Sequence, residues 1–137
     1  MRACCLAMAV VLLAGCGGSE PTPAGSGARD AALAFFRAVV AKDWDAAYAV
    51  VDADSRGRVG QRRFAEQAAA YRAGLRFEPA GAAVTACDEH DDTAVAHVVL
   101  TGRAAAHQRF KESVTVRKGP NGWGVVLPAT FGRPRQR

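Results

Sequence analysis

The spacing of apolar residues changes once along this chain, and that change limits the folds available to it. Between residues 31 and 73, apolar side chains recur every three or four positions, as on one face of an α-helix. From residue 77 onward they alternate with polar residues, as on one face of a β-strand. Helices followed by strands predict an α+β domain in which N-terminal helices pack on a curved antiparallel sheet.

Three helices are predicted before the change of period. The first begins near Asp30, and the second covers residues 46–51 with Asp45 as its N-terminal cap. The third covers residues 62–73, where a glycine follows and ends it. Four strands are then predicted, at residues 77–88, 93–102, 110–117 and 123–127.

The chain begins with a short apolar stretch that ends at a cysteine. A single basic residue, Arg2, precedes the apolar run, and Leu-Ala-Gly-Cys ends at Cys16. Such a pattern is typical of a secretory leader. Its ending resembles the lipobox of bacterial lipoproteins, which implies that residues 1–15 are removed and that Cys16 carries a diacylglyceryl group. Glycine at position 17, by the same resemblance, implies the outer membrane where the source has one.

Glycine, serine and proline dominate the segment after the cysteine. This composition buries little apolar surface and predicts a flexible linker over residues 16–27. The alternative is that the apolar run forms an N-terminal helix in the core of the domain. Because only this linker would join that helix to the domain, its apolar surface would stay exposed. The expected organisation is a signal peptide at 1–15, the linker, an α+β domain at 28–128 and a basic tail at 129–137. We therefore expect a domain held at the bacterial cell envelope by a lipid anchor.

The net charge of +5 does not indicate nucleic-acid binding. Without the leader arginine and the three arginines of the tail, 14 basic residues face 13 acidic ones. After removal of the leader and lipidation of Cys16, Cys87 is the remaining thiol, and it is typical of a small buried apolar side chain. The cluster Asp-Glu-His-Asp-Asp at 88–92 lacks the spacing of an EF-hand, and Cys87 with His90 lacks a second pair for zinc. No metal site and no cofactor are predicted.

Two segments carry a resemblance to a known fold family. Residues 32–48 read Ala-Leu-Ala-Phe-Phe-Arg-Ala-Val-Val-Ala-Lys-Asp-Trp-Asp-Ala-Ala-Tyr, and residues 114–126 read Val-Thr-Val-Arg-Lys-Gly-Pro-Asn-Gly-Trp-Gly-Val-Val. They resemble the first two helices and the last hairpin of NTF2-like, or SnoaL-like, domains. The resemblance implies a cone in which a curved sheet wraps a long helix around a cavity. It also implies that the outer face of the sheet can form a homodimer, as in many relatives.

The cone defines a set of candidate pocket residues. Ordinary core packing accounts for each aromatic member better than a pocket role does, because a domain of this size keeps its few aromatic rings inside. The candidates are Phe36, Val40, Trp44, Tyr48, Phe64, Tyr71, His97 and Trp123.

Catalytic members of the family place an acid/base pair in the cavity, and no such pair can be mapped here. We therefore expect a non-catalytic module that binds a small apolar ligand or an envelope protein. The alternative is an enzyme of the isomerase or hydratase type. His97 alternates with Val95 and Val99, which predicts that it points into the cone as a general base, with Tyr48 or Tyr71 as proton donor.

Overall fold

The computed structural model describes residues 27–134 of the chain. It confirms the α+β architecture, with four helices followed by a curled antiparallel sheet of four strands. The predicted leader, the predicted lipid-attachment residue Cys16, the predicted linker before Gly27 and the last three tail residues lie outside the described residues. The helices are α1 (Gly27–Ala41), α2 (Trp44–Ala49), α3 (Ala53–Arg58) and α4 (Gln61–Ala73).

Two of the helix predictions need correction, and aspartate caps explain both. The Oδ1 atom of Asp43 accepts a hydrogen bond from Ala46 N at 3.0 Å, so Asp43 rather than Asp45 caps α2. Helix α3 was absent from the prediction because its six residues carry no apolar stripe. It forms because Asp52 caps it, with Oδ1 accepting from Ser55 N at 3.1 Å.

The four strands form a meander in which each strand pairs with the next. They are β1 (Pro79–His90), β2 (Thr93–Gly102), β3 (Arg109–Gly119) and β4 (Gly122–Val125). The β1–β2 hairpin turns at Asp91 and Asp92 alone, so the acidic cluster belongs mostly to strand β1. The short last strand pairs only with residues 116–119 of β3.

Helix α1 lies against the inner face of the sheet and forms the core with it. Residues at alternate positions of β2 are buried there, namely Ala94, Ala96, Val98 and Leu100. Phe35 and Phe36 of α1 are also buried, with ring centroids 5.2 Å apart. Their rings join those of α4 in one aromatic cluster, which we define as Phe35, Phe36, Phe64, Tyr71 and Phe131.

The segment after β4 completes this cluster, so the predicted domain boundary at residue 128 is too early. Phe131 is buried and stacks on Phe64 at 5.9 Å and on Tyr71 at 5.2 Å between ring centroids. Gly132 follows with φ of +73°, and a Cβ there would lie 2.5 Å from the carbonyl oxygen of Gln67. The close approach to α4 therefore requires glycine.

A backbone clamp joins β4 to the segment between α2 and α3. Asp52 N donates to Val125 O at 2.9 Å, and Val125 N donates to Val50 O at 2.8 Å. Leu127 N then donates to the buried Ser55 Oγ at 3.0 Å. Together these three bonds, the β4 clamp, draw the chain away from the sheet after Val126.

A buried arginine joins the C-terminal ends of α1 and α4. Arg72 donates through Nη1 to Glu78 Oε2 at 2.8 Å, and through Nη2 to Val40 O at 3.1 Å. The hydrogen bond from Arg72 holds the pKa of Glu78 below its ordinary value of 4.5. The carboxylate of Glu78 is mostly exposed, whereas Arg72 is buried.

Replacing Phe131 with alanine should destabilise the fold strongly, because it removes a ring that three other rings contact. We expect Phe131→Ala to lower the free energy of unfolding by about 3 kcal/mol and the melting temperature by roughly 10 °C or more. Thr130→Ala, at an exposed neighbouring position, is the matched control and should change little. Equal melting temperatures for the two variants would show that residues after 128 are no part of the core.

The ion pair of Arg72 and Glu78 makes one contribution to stability depend on pH. Because folding lowers the pKa of Glu78, that contribution is present above the ordinary pKa of 4.5 and is lost as the pH falls through the lowered value. Glu78→Gln should therefore melt below the wild type at about pH 7, and the difference should shrink toward about pH 3. Thermal melts across this range test the expectation. A difference that stays constant with pH would contradict it.

Candidate ligand cavity

A cavity of about 940 Å³ opens between α4, the inner side of β3 and the segment after β4. This volume lies within the range of roughly 300–1,000 Å³ typical of small-molecule sites. Aromatic and aliphatic side chains supply most of its wall: Phe35, Phe36, Tyr71, Val114, Val125, Leu127 and Phe131. The aromatic cluster thus forms both the centre of the core and one wall of the cavity.

Few polar side chains face this space, and one of them is a carboxylate. On β3 the inner face carries Phe110, Glu112 and Val114, because strand residues alternate between faces. Glu112 is half-buried, and its Oε2 accepts a hydrogen bond from the Tyr71 hydroxyl at 3.3 Å. A phenol and a carboxylate therefore meet at the wall of an otherwise apolar cavity. Arg133 also lines the cavity, on the segment after β4.

Two of the predicted pocket residues, Phe36 and Tyr71, line this cavity. Phe64 lies behind the wall, fully buried against Phe131. Tyr48 instead donates its hydroxyl to Val59 O at 3.0 Å, which ties α2 to the loop before α4. The lining of the cavity includes none of Val40, Trp44, Tyr48, Phe64, His97 and Trp123.

His97 lies on the outer face of the sheet, so the expectation that it points into the cone is wrong. Its neighbours along β2, Ala96 and Val98, are the residues that face the core. Nδ1 of His97 lies 2.9 Å from Ser113 Oγ, and Nε2 lies 3.4 Å from Asp88 Oδ2. The sequence pattern misled because Val95 and Val99, which alternate with His97, stand on the outer face with it, and Val95 is exposed.

A second, smaller pocket of about 280 Å³ lies between the β3–β4 hairpin and the start of α3. Trp123 lines it together with Asp52, Asp54 and Arg117. Arg117 Nη1 donates to Asp54 Oδ2 at 2.8 Å and to Asp52 Oδ2 at 3.4 Å. These ion pairs already use both carboxylates of the pocket, so the larger cavity is the better ligand site.

Within residues 27–134, no group of three or more His, Cys, Asp or Glu side chains could hold a metal ion. Cys87 forms no disulfide within the described residues and is half-buried against the core. None of the described helices is long and apolar enough to cross a membrane.

The sequence contained signals for two site residues that the prediction did not use. Glu112 stands at the alternate position between Phe110 and Val114, on the apolar face of its strand. A single carboxylate on that face indicates a polar group that faces the interior. Phe131 stands in a segment rich in arginine, glycine and proline, where one aromatic ring indicates a contact with the domain. Only the fold shows that both residues reach the same cavity.

Four helices and a curled half-barrel sheet around such a cavity define the NTF2-like α+β cone. A crystal structure from Campylobacter jejuni, named as an NTF2-like transpeptidase, aligns with a TM-score of 0.58 and 15% identity over 72% of this chain and 96% of its own. A SEC-C motif containing protein from Rhodopseudomonas palustris aligns with a TM-score of 0.50 and 17% identity over 74% and 78% of the two chains. No family model and no curated protein matches the sequence. At these identities the likeness concerns the fold alone.

Proposed function

We propose that this protein is a lipid-anchored module of the bacterial cell envelope whose cavity binds a small apolar molecule or part of an envelope protein. The observation that carries the proposal is the 940 Å³ cavity, because its wall is aromatic and aliphatic with few polar side chains. Burial of apolar ligand surface against this wall would provide the affinity. Glu112 would orient a ligand that has a hydrogen-bond donor.

The anchoring part of the proposal comes from the beginning of the sequence. An apolar run that ends in Leu-Ala-Gly-Cys, followed by a linker of Gly, Ser and Pro, would place the domain on a lipid tether. Two or more acyl chains on one residue would hold it stably at a membrane, whereas a single chain would not. By its resemblance to the sorting signals of Gram-negative lipoproteins, Gly17 favours the outer membrane in such a source.

The contact of Tyr71 with Glu112 supports a second candidate function. A carboxylate and a phenol that face one apolar space can serve as a general base and a proton donor, as isomerases and hydratases require. His97 has no part in this candidate, since it lies on the outer face. Binding remains our primary proposal because the hydrogen bond from Tyr71 occupies an oxygen of the carboxylate that would act as base.

Filling the cavity should abolish ligand binding. Ala70 lines the cavity from α4 and is itself exposed, so Ala70→Phe adds a ring in this space without disturbing the core. The purified full chain should bind the neutral apolar fluorophore N-phenyl-1-naphthylamine, and Ala70→Phe should weaken that binding at least tenfold, or about 1.4 kcal/mol. Fluorescence titration gives the Kd.

Ala69→Phe is the matched control for this titration. Ala69 is exposed on the same helix but does not line the cavity, so the variant should bind within twofold of the wild type. His97→Ala should also bind normally because His97 lies on the outer face. Equal loss in both phenylalanine variants, or no loss in either, would exclude the cavity as the binding site.

Replacing the acceptor cysteine tests the anchor independently of the cavity. Cys16→Ser removes the thiol to which lipid would be attached, and the lipoprotein-specific peptidase should then leave residues 1–15 uncleaved. We expect the wild type, but not Cys16→Ser, to incorporate a labelled fatty-acid analogue in the native cell. Cys87→Ser is the control, and it should be labelled like the wild type. Unchanged processing and labelling of Cys16→Ser would refute the lipid anchor.

A further inference from the structure

The backbone of β3 directs its hydrogen-bonding groups alternately to its two edges. Gly102 N donates to Gln108 O at 2.9 Å, and Lys118 N donates to Asp92 O at 2.8 Å, so even-numbered residues of this segment face β2. Val126 N donates to Thr115 O at 2.9 Å, so odd-numbered residues face the opposite edge. The register between β2 and β3 runs without a shift from residue 109 to 117. The N–H and C=O groups of Arg109, Lys111 and Ser113 therefore point to the outer edge.

No strand of the described chain covers this part of the edge. Strand β4 pairs only with residues 116–119 of β3, and the bond from Val126 to Thr115 is the last one along the edge. The β4 clamp then takes the chain to Ser55 through Leu127 N. Among the residues that the structure describes, none pairs with the outward backbone groups of these three β3 residues, and such a row of donors and acceptors is a template for one more strand. We call residues 109–113 the open edge.

The large cavity lies beside the open edge on the inner side of the sheet. Its lining includes residues 112–114 of β3, and Tyr71 and Phe131 stand opposite them. A strand added to the open edge would direct every second side chain to this inner side, because strand side chains alternate between faces. Those side chains would enter an apolar cavity, so apolar residues suit these positions.

The remaining side chains of an added strand would lie on the outer side, where this edge is basic. Arg109 and Lys111 are exposed there, and no ion pair between residues 27 and 134 includes either of them. Acidic residues at the outward positions of the added strand would neutralise these charges. The backbone edge, the cavity and the charges thus specify three properties of one partner: an extended conformation, apolar residues on one face and acidic residues on the other.

The geometry points to a peptide partner: we propose that an extended segment with alternating apolar and acidic residues binds along the open edge as a fifth strand. Main-chain hydrogen bonds would hold the segment, and the cavity would select its apolar side chains. This inference names the partner of the cavity and rests on the proposal that the cavity is a binding site.

A hexapeptide of alternating glutamate and leucine, blocked at both ends, is the probe. We expect saturable binding to the full chain by calorimetry, with amide shifts in NMR spectra centred on Lys111 and Ser113. Methylating one alternate set of the peptide amides should abolish binding, because those amides face β3, whereas methylating the other set should not. Equal effects of the two methylated peptides would overturn strand addition.

Charge reversal on the protein provides a matched pair of variants. Lys111→Glu should weaken peptide binding at least fivefold, because the new carboxylate faces the glutamates of the peptide. Lys118→Glu makes the same change of net charge on the same strand, outside the open edge, and should weaken it less than twofold. Equal weakening by both variants would show that the net charge of the protein alone determines peptide binding, and it would overturn the proposal.

Two further outcomes separate this inference from the proposed function. If the naphthylamine probe binds and Ala70→Phe blocks it while the peptide does not bind, the cavity is a small-molecule site and strand addition is overturned. If the chain itself dimerises in light scattering and Lys111→Glu dissociates the dimer, a second copy occupies the open edge instead of a peptide. Loss of peptide binding in Ala70→Phe but not in Ala69→Phe would support the cavity as the receptor for its side chains.

Discussion

The β4 clamp determines where the sheet of this protein ends. Asp52 N and Val125 N donate in opposite directions between two backbone segments, and Ser55 Oγ accepts from Leu127 N immediately afterwards. A Cβ on Gly124 would lie 2.7 Å from the Cα of Asp52, so this approach of two backbones requires glycine. Because the clamp removes the chain from β3 after Val126, the last segment can cross toward α4.

That crossing explains why one cluster of rings serves two purposes. Once the chain leaves the sheet, Phe131 reaches Phe64 and Tyr71 and closes the core. The gap left beside β3 becomes the cavity, and Phe131 forms part of its wall. Stability and binding therefore share the same aromatic surface, and a substitution there would affect both.

The fold could be predicted from the sequence because apolar periodicity reports directly which face of each element is buried. Periodicity does not report short elements, and helix α3 was missed because the Asp52 cap rather than an apolar stripe forms it. The site was harder to predict. His97 and Glu112 each alternate with apolar residues in their own strands, yet they face opposite sides of the sheet. Only the packing of α1 against one face distinguishes them, and that contact joins residues far apart in sequence.

The start of α1 and residues 109–113 lie at opposite ends of strand β3. Helix α1 begins at Gly27 beside the ring of Trp123, next to the β3–β4 hairpin. Lys111 lies eight residues back along β3 from Gly119, which is roughly 25 Å of extended strand. Residues 109–113 are therefore at the end of β3 away from the start of α1. A partner bound at residues 109–113 and a lipid anchor ahead of α1, as proposed above, would therefore not compete for the same surface.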